Sequence, residues 1–295
     1  MTKRIYGPPS QRPLFRSVAA ILDLGVGDLS LDVYPDGERR VRFQDDLGGV
    51  DVILFFSSER PVDFSLFSLA LAADAAKRAG ARSVMAVIPY LGYSRSDRID
   101  RAGQPIASRV VADFLERAGI EQVITLDLHN PAIAGFYSIP VHEGSAIKLL
   151  SRSFEDADAV VVSPDAGGVK RASHFAGLLG LPMGAAFKER TLSLEARVLQ
   201  LCGDFAGREA IVVDDMIASG GTLEKVCLAL REGGIKAIDV AATHAVMAPG
   251  AEDRLRGLGI RRLVVTDSIP YESDWDAVEV VSCATLLSTL LARCL

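Results

Sequence analysis

The chain has 295 residues, of which 49% are hydrophobic and 24% are charged, and its formal net charge is −6 at pH 7. This composition is typical of a folded globular protein and argues against a disordered chain. The negative charge argues against a nucleic-acid-binding protein, because such proteins present a basic surface to the phosphate backbone. The length is sufficient for two domains or one large domain with a hydrophobic core.

The cysteine pattern and the apolar runs predict the compartment. The sequence contains no apolar run of the roughly 18 residues that a membrane-spanning helix needs, and residues 1–10 lack the apolar core of a signal peptide. Cys202, Cys227, Cys283 and Cys294 show no CxxC spacing. In a chain of this size they are predicted to be reduced, buried thiols. We therefore predict a cytoplasmic protein that binds neither membranes nor nucleic acids.

Short aliphatic segments alternate with helical patterns along the chain. The aliphatic segments are 50–58, 83–90, 122–129, 159–165, 210–215, 237–246, 262–268 and 278–283. Their continuous apolarity indicates strands buried on both faces, as in a parallel sheet. Residues 64–81 and 107–120 have helical patterns, with basic residues and a glycine near their ends. The alternation predicts an α/β fold with right-handed crossovers.

The predicted elements form two successive groups. The first group ends within residues 135–150, and the polar segment 151–159 precedes a new strand. We therefore predict two α/β domains, 1–145 and 146–295, each a mainly parallel sheet flanked by helices. The last helix is predicted either to stay in the second domain or to pack back on the N-terminal one.

Polar residues concentrate where the predicted strands end. The examples are Tyr90 to Asp97, Asp127 and His129, Asp165, and the pair Asp214 and Asp215. Ligands of open α/β sheets bind at the carboxyl ends of the strands. The clustering therefore predicts a binding site between the two domains.

Residues 211–223, IVVDDMIASGGTL, place two aspartates and a glycine-rich turn after an aliphatic strand. Gly220 and Gly221 let the backbone curl so that consecutive N–H groups face an anion. A helix that begins at Thr222 adds its positive end. A plain turn with a helix cap remains the alternative for this segment alone. A Walker loop is excluded, because no GxxxxGK[ST] pattern occurs.

The side chains around this turn favour a phosphorylated sugar. Ser219 and Thr222 offer hydroxyl donors to the same phosphate. Asp214 and Asp215 stand directly before the turn, and their carboxylates can accept hydrogen bonds from ribose hydroxyls.

The charged and polar residues outside this turn can be interpreted either as ordinary surface or core residues or as ligand contacts. Arg95 either belongs to a solvated charged loop or neutralises nucleotide phosphates, which a planar guanidinium contacts in bidentate fashion. His129 is either a satisfied histidine or, with Asp165, part of an Mg²⁺ site that phosphate oxygens and water complete. Lys188 and Arg190, taken alone, are surface charges.

Several segments together resemble one family. Residues 211–223 resemble the phosphoribosyl-diphosphate-binding motif of the phosphoribosyltransferase fold. The remaining motifs resemble those of the ribose-phosphate diphosphokinases: 33–43 its N-terminal loop, 89–98 its nucleotide-binding stretch, 125–141 and 161–172 its metal-site regions, and 188–190 its basic catalytic loop. The resemblance covers most of the chain, in order and at fitting spacing.

This resemblance implies a fold and a reaction. The fold would be two tandem phosphoribosyltransferase-like domains. The reaction would be Mg²⁺-dependent transfer of the diphosphoryl group of ATP to O1 of ribose 5-phosphate. The products, 5-phosphoribosyl 1-diphosphate and AMP, belong to nucleotide biosynthesis. The resemblance also implies a homo-oligomer in which residues 35–38 reach a neighbour's nucleotide site.

The resemblance also assigns roles to individual residues. ATP would bind at Tyr34, Asp36, Glu38, Arg95, Ser96, Asp97 and His129. Ribose 5-phosphate would bind at Asp214, Asp215, Ala218, Ser219, Gly220, Gly221 and Thr222. Mg²⁺ would be held by His129 and Asp165, and Lys188 and Arg190 would be catalytic.

Three positions depart from the family pattern. Ala218 stands where many members have a third acid, Ser96 where many have glutamine, and Glu189 where arginine is common. Two alternatives therefore stay open. One is a phosphoribosyltransferase that consumes 5-phosphoribosyl 1-diphosphate, and the other is a catalytically weak, synthetase-associated regulatory homologue.

Overall fold

The computed structural model describes residues 2–188 and 199–295, without the side chains of residues 187, 188, 199 and 200. The chain forms two compact units. Unit 1 comprises Met1–Ser145, Ser268–Pro270 and Ser282–Leu295, and unit 2 comprises Ala146–Asp267 and Tyr271–Val281. In the described part of the chain, no helix is both long and apolar enough to cross a membrane.

Unit 1 is built on a parallel sheet. Its elements are β1 (Lys3–Tyr6), α1 (Arg12–Leu22), β2 (Gly25–Val26), β3 (Leu29–Val33), β4 (Arg39–Phe43), β5 (Asp51–Phe55), α2 (Val62–Arg78), β6 (Ser83–Ile88), α3 (Ala107–Arg117), β7 (Gln122–Leu126) and β8 (Val141–Gly144). The sheet has the order β2-β1-β5-β6-β7-β8, and all its pairs are parallel. Strands β3 and β4 form a separate antiparallel hairpin.

The central strand β5 is covered on both faces, which explains its continuous apolarity. Val52 and Leu54 belong to a buried cluster with residues of α2 and α3. Phe55 faces the other way, and its ring lies 6.0 Å from that of Phe15 on α1. Alternate strand residues point to opposite faces, so burial of both sets requires helices on both sides.

Unit 2 has a second sheet of the same kind. Its elements are α4 (Ile147–Ser151), β9 (Ala159–Ser163), α5 (Val169–Leu179), β10 (Met183–Lys188), β11 (Leu199–Cys202), β12 (Glu209–Ile217), α6 (Gly221–Glu232), β13 (Ala237–Ala245), α7 (Ala251–Gly257), β14 (Arg262–Thr266) and β15 (Val278–Val281). The order is β11-β10-β9-β12-β13-β14-β15, and among the described strands of this sheet only the β10–β11 pair is antiparallel.

The last helix, α8 (Ala284–Ala292), belongs to unit 1. Its Leu290 packs on Gly144 so closely that a Cβ at the glycine would clash with it. Its buried residues Leu287 and Leu291 have no exposed surface. The apolar side of this helix therefore completes the core of unit 1.

The predicted α/β class with mainly parallel sheets is confirmed. Each of the eight predicted strands is present, and the helices predicted at 64–81 and 107–120 are α2 and α3. The prediction missed strands at the sheet edges and also the interior strands β1 and β10. It interpreted residues 33–43 as a loop, whereas they form most of the β3–β4 hairpin. Most of these strands are short or partly exposed, so they lack the continuous apolar pattern that identified the others.

Candidate active site

Strand β12 carries both carboxylates predicted to contact ribose. Its pairing with β9 ends at Val212, whereas its pairing with β13 continues to Ile217. Asp214 and Asp215 therefore lie within the strand but beyond the last residue that pairs with β9. The prediction ended this strand at residue 215, and the structure extends it by two residues because β13 still supplies backbone partners.

The sheet order of unit 2 reverses between β9 and β12. From β9 the chain proceeds to β10 on one side, and it later returns through β12 on the other side. Such a switch point opens a crevice at the carboxyl ends of the two strands. Asp165 follows β9, and Asp214 and Asp215 lie near the end of β12. The topology therefore brings the three aspartates to the same edge of the sheet.

Backbone hydrogen bonds fix the turn between β12 and α6. Met247 N donates to Ile217 O, and Ala248 N donates to Ala218 O, each at 2.9 Å. Gly220 has a φ of 74°, and a Cβ there would lie 3.3 Å from a leucine side chain of α7. The positive φ therefore favours glycine at this position, and a Cβ would also be tightly packed against α7.

The turn leaves an anion-binding end on α6. The helix begins at Gly221, one residue before the predicted start at Thr222. Within the described chain no side chain caps it, and the side chains of Ser219 and Thr222 are exposed. Unpaired first-turn N–H groups and the helix dipole favour a negative ligand at such an end. The geometry therefore fits the predicted phosphate position.

Arg254 on α7 supports the same turn. Its Nη1 donates to Ser219 O at 2.7 Å, and its Nε lies 3.4 Å from Glu224 Oε2 on α6. One guanidinium thus joins the turn to the helix that follows it. It also places a positive charge beside the proposed phosphate position.

Arg171 on α5 bridges the two carboxylates of β12. Its Nη1 lies 3.4 Å from Asp214 Oδ1 and 3.4 Å from Asp215 Oδ1. The exposed fractions of these side chains are 16% for Arg171, 18% for Asp214 and 4% for Asp215. A second contact orders the pair, because Asp215 N donates to Asp214 Oδ1 at 2.9 Å.

The environment of Asp214 disfavours its charge. Burial raises the pKa of Asp214 well above its ordinary value, and the charge of Asp215 raises it further. The Arg171 guanidinium opposes both effects, since a nearby cation stabilises a carboxylate. Of the groups that favour the ionised form of Asp214, Arg171 is the largest contributor.

Asp165 occupies a tight turn between β9 and α5. Its Oδ1 accepts a hydrogen bond from Gly168 N at 3.0 Å, and its backbone oxygen accepts one from Ser163 Oγ at 2.7 Å. A Cβ on Gly168 would lie 2.9 Å from Ser163 Oγ, so the turn needs glycine there. Among the described residues no donor contacts the other carboxylate oxygen, Oδ2.

In unit 1, residues 34–38 form the tip of the β3–β4 hairpin. Tyr34 N donates to Glu38 O and Gly37 N donates to Tyr34 O, each at 2.8 Å. Asp36 Oδ1 accepts from Glu38 N at 3.1 Å, and Gly37 has a φ of 93°. The predicted ATP contacts Tyr34, Asp36 and Glu38 are all exposed on this hydrogen-bonded tip.

The second group of predicted ATP contacts follows β6. Arg95 is exposed, whereas Ser96 is tied to α3, because its backbone oxygen accepts from Ser108 N at 3.1 Å. Asp97 Oδ2 accepts from Asn130 Nδ2 at 2.6 Å. This contact links the segment to the loop after β7, where the exposed His129 precedes Asn130.

The predicted catalytic residues lie at the edge of the described structure. Lys188 is the last residue of β10 and pairs with Leu199. Its side chain, and the whole of Glu189 and Arg190, lie outside the described residues. Their catalytic roles stay predictions.

The donor set is compatible with a weakly held magnesium ion. Asp165 offers the uncontacted oxygen Oδ2, and Mg²⁺ prefers oxygen ligands and retains several waters. The described residues contain no group of three His, Cys, Asp or Glu side chains that could hold a metal by itself. Substrate oxygens and water would therefore have to complete the shell of a bound ion. His129 lies in unit 1 and Asp165 in unit 2, so a shared site for them stays a prediction.

Sequence reasoning missed three residues that organise these segments. Asn130 follows His129 directly, so its position beside a predicted ligand was a usable signal. Arg171 lies inside the recognised segment 161–172, where no local pattern distinguishes it from Lys170. Arg254 is 35 positions along the chain from the carbonyl group it contacts, and no local sequence pattern predicts a contact over such a separation.

Comparisons with known proteins first define the class. Residues 4–119 match the family described as the N-terminal domain of ribose phosphate pyrophosphokinase, and residues 142–257 match the phosphoribosyl transferase domain. A crystal structure of phosphoribosylpyrophosphate synthetase from Mycobacterium smegmatis superposes with a TM-score of 0.92 at 34% identity, covering 99% of each chain. The molecule is thus an α/β protein with two phosphoribosyltransferase-like domains.

Sequence similarity over nearly the full length then gives the family. The ribose-phosphate pyrophosphokinase of Aquifex aeolicus is 37% identical and covers 98% of this chain and 95% of its own. That of Corynebacterium ammoniagenes is 37% identical and covers 98% of this chain and 93% of its own. The chain belongs to the ribose-phosphate pyrophosphokinase family.

Proposed function

We propose that the chain is an enzyme that transfers the diphosphoryl group of ATP to ribose 5-phosphate. O1 of the sugar attacks the β-phosphorus, the bond from that phosphorus to the oxygen bridging it to the α-phosphorus breaks, and AMP leaves. The product is 5-phosphoribosyl 1-diphosphate, a precursor in nucleotide biosynthesis. The observation that carries the proposal is the similarity to ribose-phosphate pyrophosphokinases over 98% of the chain.

Ribose 5-phosphate is proposed to bind at the end of β12. The 5-phosphate would lie against residues 218–222, where exposed hydroxyls and helix N–H groups face solvent. The carboxylates of Asp214 and Asp215 would accept hydrogen bonds from the ribose hydroxyls. Two features support this orientation of the sugar. The exposed hydroxyls and the uncapped start of α6 suit the anionic 5-phosphate, and the buried carboxylate pair suits the hydroxyl donors of the ribose.

ATP is proposed to bind unit 1 through Arg95, Ser96, Asp97 and His129. Exposure of Arg95 and of His129 supports this, and the Asp97–Asn130 hydrogen bond holds their two loops together. Tyr34, Asp36 and Glu38 are proposed to serve a neighbouring copy's nucleotide, since they project from a hairpin tip. An exposed aromatic ring beside acceptor groups is a suitable surface for a purine.

Magnesium and the basic residues are proposed to balance the phosphate charge. Asp165 and His129 would help to hold Mg²⁺, which supplies Lewis-acid stabilisation of the phosphoryl oxygens when bound. Arg95, Lys188 and Arg190 would offset the charge that develops on the transferring group. In phosphoryl transfer, positioning and electrostatics supply most of the rate.

We also propose a homo-oligomer that uses an apolar groove on unit 1. The groove encloses about 960 Å³ and is lined by α2, α3 and the hairpin tip, including Phe64, Phe67, Tyr93, Val110 and Phe114. Phe67 is 48% exposed, and its ring stacks on Phe114 at 6.0 Å. A contiguous exposed apolar surface marks an interaction site, and a symmetric dimer uses the same patch on both copies.

The compartment proposed for the chain is the cytoplasm. The support is that no disulfide joins the cysteines of the described residues, Cys202, Cys227, Cys283 and Cys294. Cys227 and Cys283 are buried as predicted, whereas Cys202 is exposed and Cys294 is half-buried, so the predicted burial was wrong for these two. Thiols persist in a reducing compartment, where disulfides are rare.

A coupled assay for AMP formation tests the proposed reaction. The complete reaction contains ATP, ribose 5-phosphate and Mg²⁺, and the matched blank omits the sugar. A phosphoribosyltransferase that consumes the diphosphate would instead make a nucleotide from 5-phosphoribosyl 1-diphosphate and a nucleobase. AMP release that depends on the sugar supports the proposal. AMP at the level of the blank would contradict it and favour the weak regulatory homologue.

A further inference from the structure

We propose that Arg171 is a positioning residue for ribose 5-phosphate, acting through the carboxylates of Asp214 and Asp215. The inference rests on the proposed function, because it assigns the sugar to those two carboxylates. Arg171 lies on α5, whereas the other residues of the proposed ribose 5-phosphate site lie on β12 and in the turn that follows it.

The contact with Arg171 restricts the orientation of both carboxylates. A single nitrogen of Arg171 stands at the same distance, 3.4 Å, from one oxygen of each aspartate. Each carboxylate has two oxygens, so the contact with Oδ1 leaves both Oδ2 atoms outside the bridge to Arg171. The guanidinium therefore restricts both carboxylates in orientation without occupying all their acceptor positions.

The positive charge of Arg171 offsets the repulsion between the two carboxylates. Two carboxylates on successive residues repel each other, and the repulsion grows with burial because the local dielectric constant falls. Arg171 is the cation that contacts both carboxylates. An ionised carboxylate accepts stronger hydrogen bonds than a neutral one and does not compete with the sugar as a donor. Arg171 thus favours the ionised form of both carboxylates, which is the form that accepts hydrogen bonds from sugar hydroxyls best.

Arg171 differs from a residue of an ordinary structural ion pair in what its loss would change. A structural pair holds two elements together, and its loss affects stability alone. Here the partners are the residues proposed to face the sugar, so the loss of Arg171 changes the acceptor groups themselves. Binding of ribose 5-phosphate should therefore fall while binding of ATP, which is assigned to unit 1, stays constant.

Isothermal titration with ribose 5-phosphate and, separately, with ATP tests the inference on the full chain. Arg171→Met removes the charge and retains much of the apolar stem. We expect its affinity for ribose 5-phosphate to fall by about tenfold or more, the size of one charged hydrogen bond. Its ATP affinity should stay within about twofold of wild type. Arg171→Lys should bind the sugar better than Arg171→Met but worse than wild type, because a point charge cannot replace a planar fork.

Arg208→Met is the matched control. Arg208 precedes the first residue of β12, so it lies at the opposite end of the strand from the carboxylates. Its loss should leave both affinities unchanged. If Arg171→Met does not fold, as circular dichroism would show, Arg171→Lys decides the question. Wild-type affinity for ribose 5-phosphate in the folded methionine variant, or otherwise in the lysine variant, would overturn the inference.

The test remains separate from the proposed reaction. A wild-type protein that binds ribose 5-phosphate but releases no AMP contradicts the reaction and leaves the role of Arg171 measurable. Equal losses of ATP and sugar affinity in a folded Arg171→Met would also overturn the inference, because a general distortion would then explain the effect.

Discussion

At the scale of single residues, the pair Asp214 and Asp215 combines properties that suit binding better than stability. Both side chains are largely buried and adjacent in sequence, and burial raises the pKa of Asp214. An interior built for stability alone would not place two carboxylates side by side. Binding sites commonly retain such unfavourable groups, so stability and activity are expected to respond in opposite directions here.

The raised pKa of Asp214 predicts a pH-dependent gain in stability for Asp214→Asn. The folded chain keeps this proton at pH values where the unfolded chain has lost it. The stability from this group is therefore complete below the ordinary carboxyl pKa of about 3.9 and is lost as the pH rises toward the folded value. Because asparagine does not ionise, the substrate-free variant should melt above wild type at pH 8 and by a smaller margin at pH 5.

Thermal unfolding at both pH values measures this gain. Each kcal/mol corresponds to about 2–4 °C for a protein unit of 150–250 residues. Asp204→Asn, at an exposed position of the same unit, is the control and should show no such pH dependence. An equal decrease in melting temperature at both pH values would show instead that the lost contact with Arg171 dominates.

A second prediction concerns binding by the neighbouring carboxylate. Asp215→Asn should weaken ribose 5-phosphate binding by about ten- to a hundredfold, because one charged hydrogen bond is worth about 1.5–3 kcal/mol. ATP binding should be largely retained. Titration calorimetry with each ligand measures the two effects. Loss of ATP affinity with unchanged sugar affinity would reverse the assignment of the two substrates.

A third prediction separates catalysis from binding at Lys188 and Arg190. If these residues contact mainly the transferring group, their charge stabilises the transition state, which raises kcat more than it lowers KM. Replacement of either by alanine should lower kcat by about a hundredfold or more. Steady-state kinetics with ATP and ribose 5-phosphate provide the measurement. A kcat within about threefold of wild type in both variants would refute the catalytic role.

At the scale of elements, the turn after β12 is held from outside rather than by its own side chains. Residues 247 and 248 donate backbone hydrogen bonds to it, and Arg254 donates to Ser219 O. Gly220 fits against α7 in a left-handed conformation. The conformation of the turn therefore depends on β12, α6 and α7 together.

Gly220→Ala is predicted to damage sugar binding and stability together. The new Cβ would be strained at a φ of 74° and close to α7, and such strain costs about 1 kcal/mol or more. Ribose 5-phosphate affinity should fall while ATP affinity stays constant, as titration of each ligand would show.

Gly177→Ala on α5 is the matched control, since a Cβ there meets nothing within 4 Å. That variant should be neutral or stabilised by about 0.5–1 kcal/mol. Wild-type sugar affinity in Gly220→Ala would show that the turn tolerates a side chain.

At the scale of the whole molecule, each unit has its own core beneath a mainly parallel sheet. One buried cluster includes β5, β6, α2 and α3, and the other includes β12, β13, α6 and α7. The groove on unit 1 adjoins the first cluster, because Leu66 and Val111 line the groove and belong to that cluster. The proposed assembly would use the exposed part of the groove. Exposed phenylalanines on a surface of this kind are unfavourable in water unless another chain covers them.

Phe67→Glu is predicted to break the proposed assembly. Its side chain stacks on Phe114 within the groove, and a buried unpaired charge there would disfavour association. Light scattering after gel filtration should show a smaller species than wild type, with reduced AMP formation if neighbouring hairpins complete the nucleotide site. Ile21→Glu, at an exposed position on α1, is the control. An unchanged mass for Phe67→Glu would contradict the proposed interface.

The amount of structure that the sequence predicted depended on burial. Continuous aliphatic residues predicted the strands that are covered on both faces, such as the strand in 159–165. Helix α2 ends at the basic residues that were expected near its end. The hairpin tip at 34–38 was recognised only by its motif, since its strands have exposed residues and a mixed pattern. The hydrophobic pattern of a short segment predicts burial well, but it predicts the pairing of exposed strands poorly.

The sequence by itself determined the α/β class, the glycine-rich turn at 218–222 and the carboxylates that precede it, because these follow from local composition and spacing. Only the tertiary structure decided that β12 continues past those carboxylates, that Arg171 stands between them, and that Arg254 supports the turn from α7. The physical reason is distance along the chain. A contact between residues 43 or 35 positions apart arises from the packing of whole elements, and no short segment encodes it.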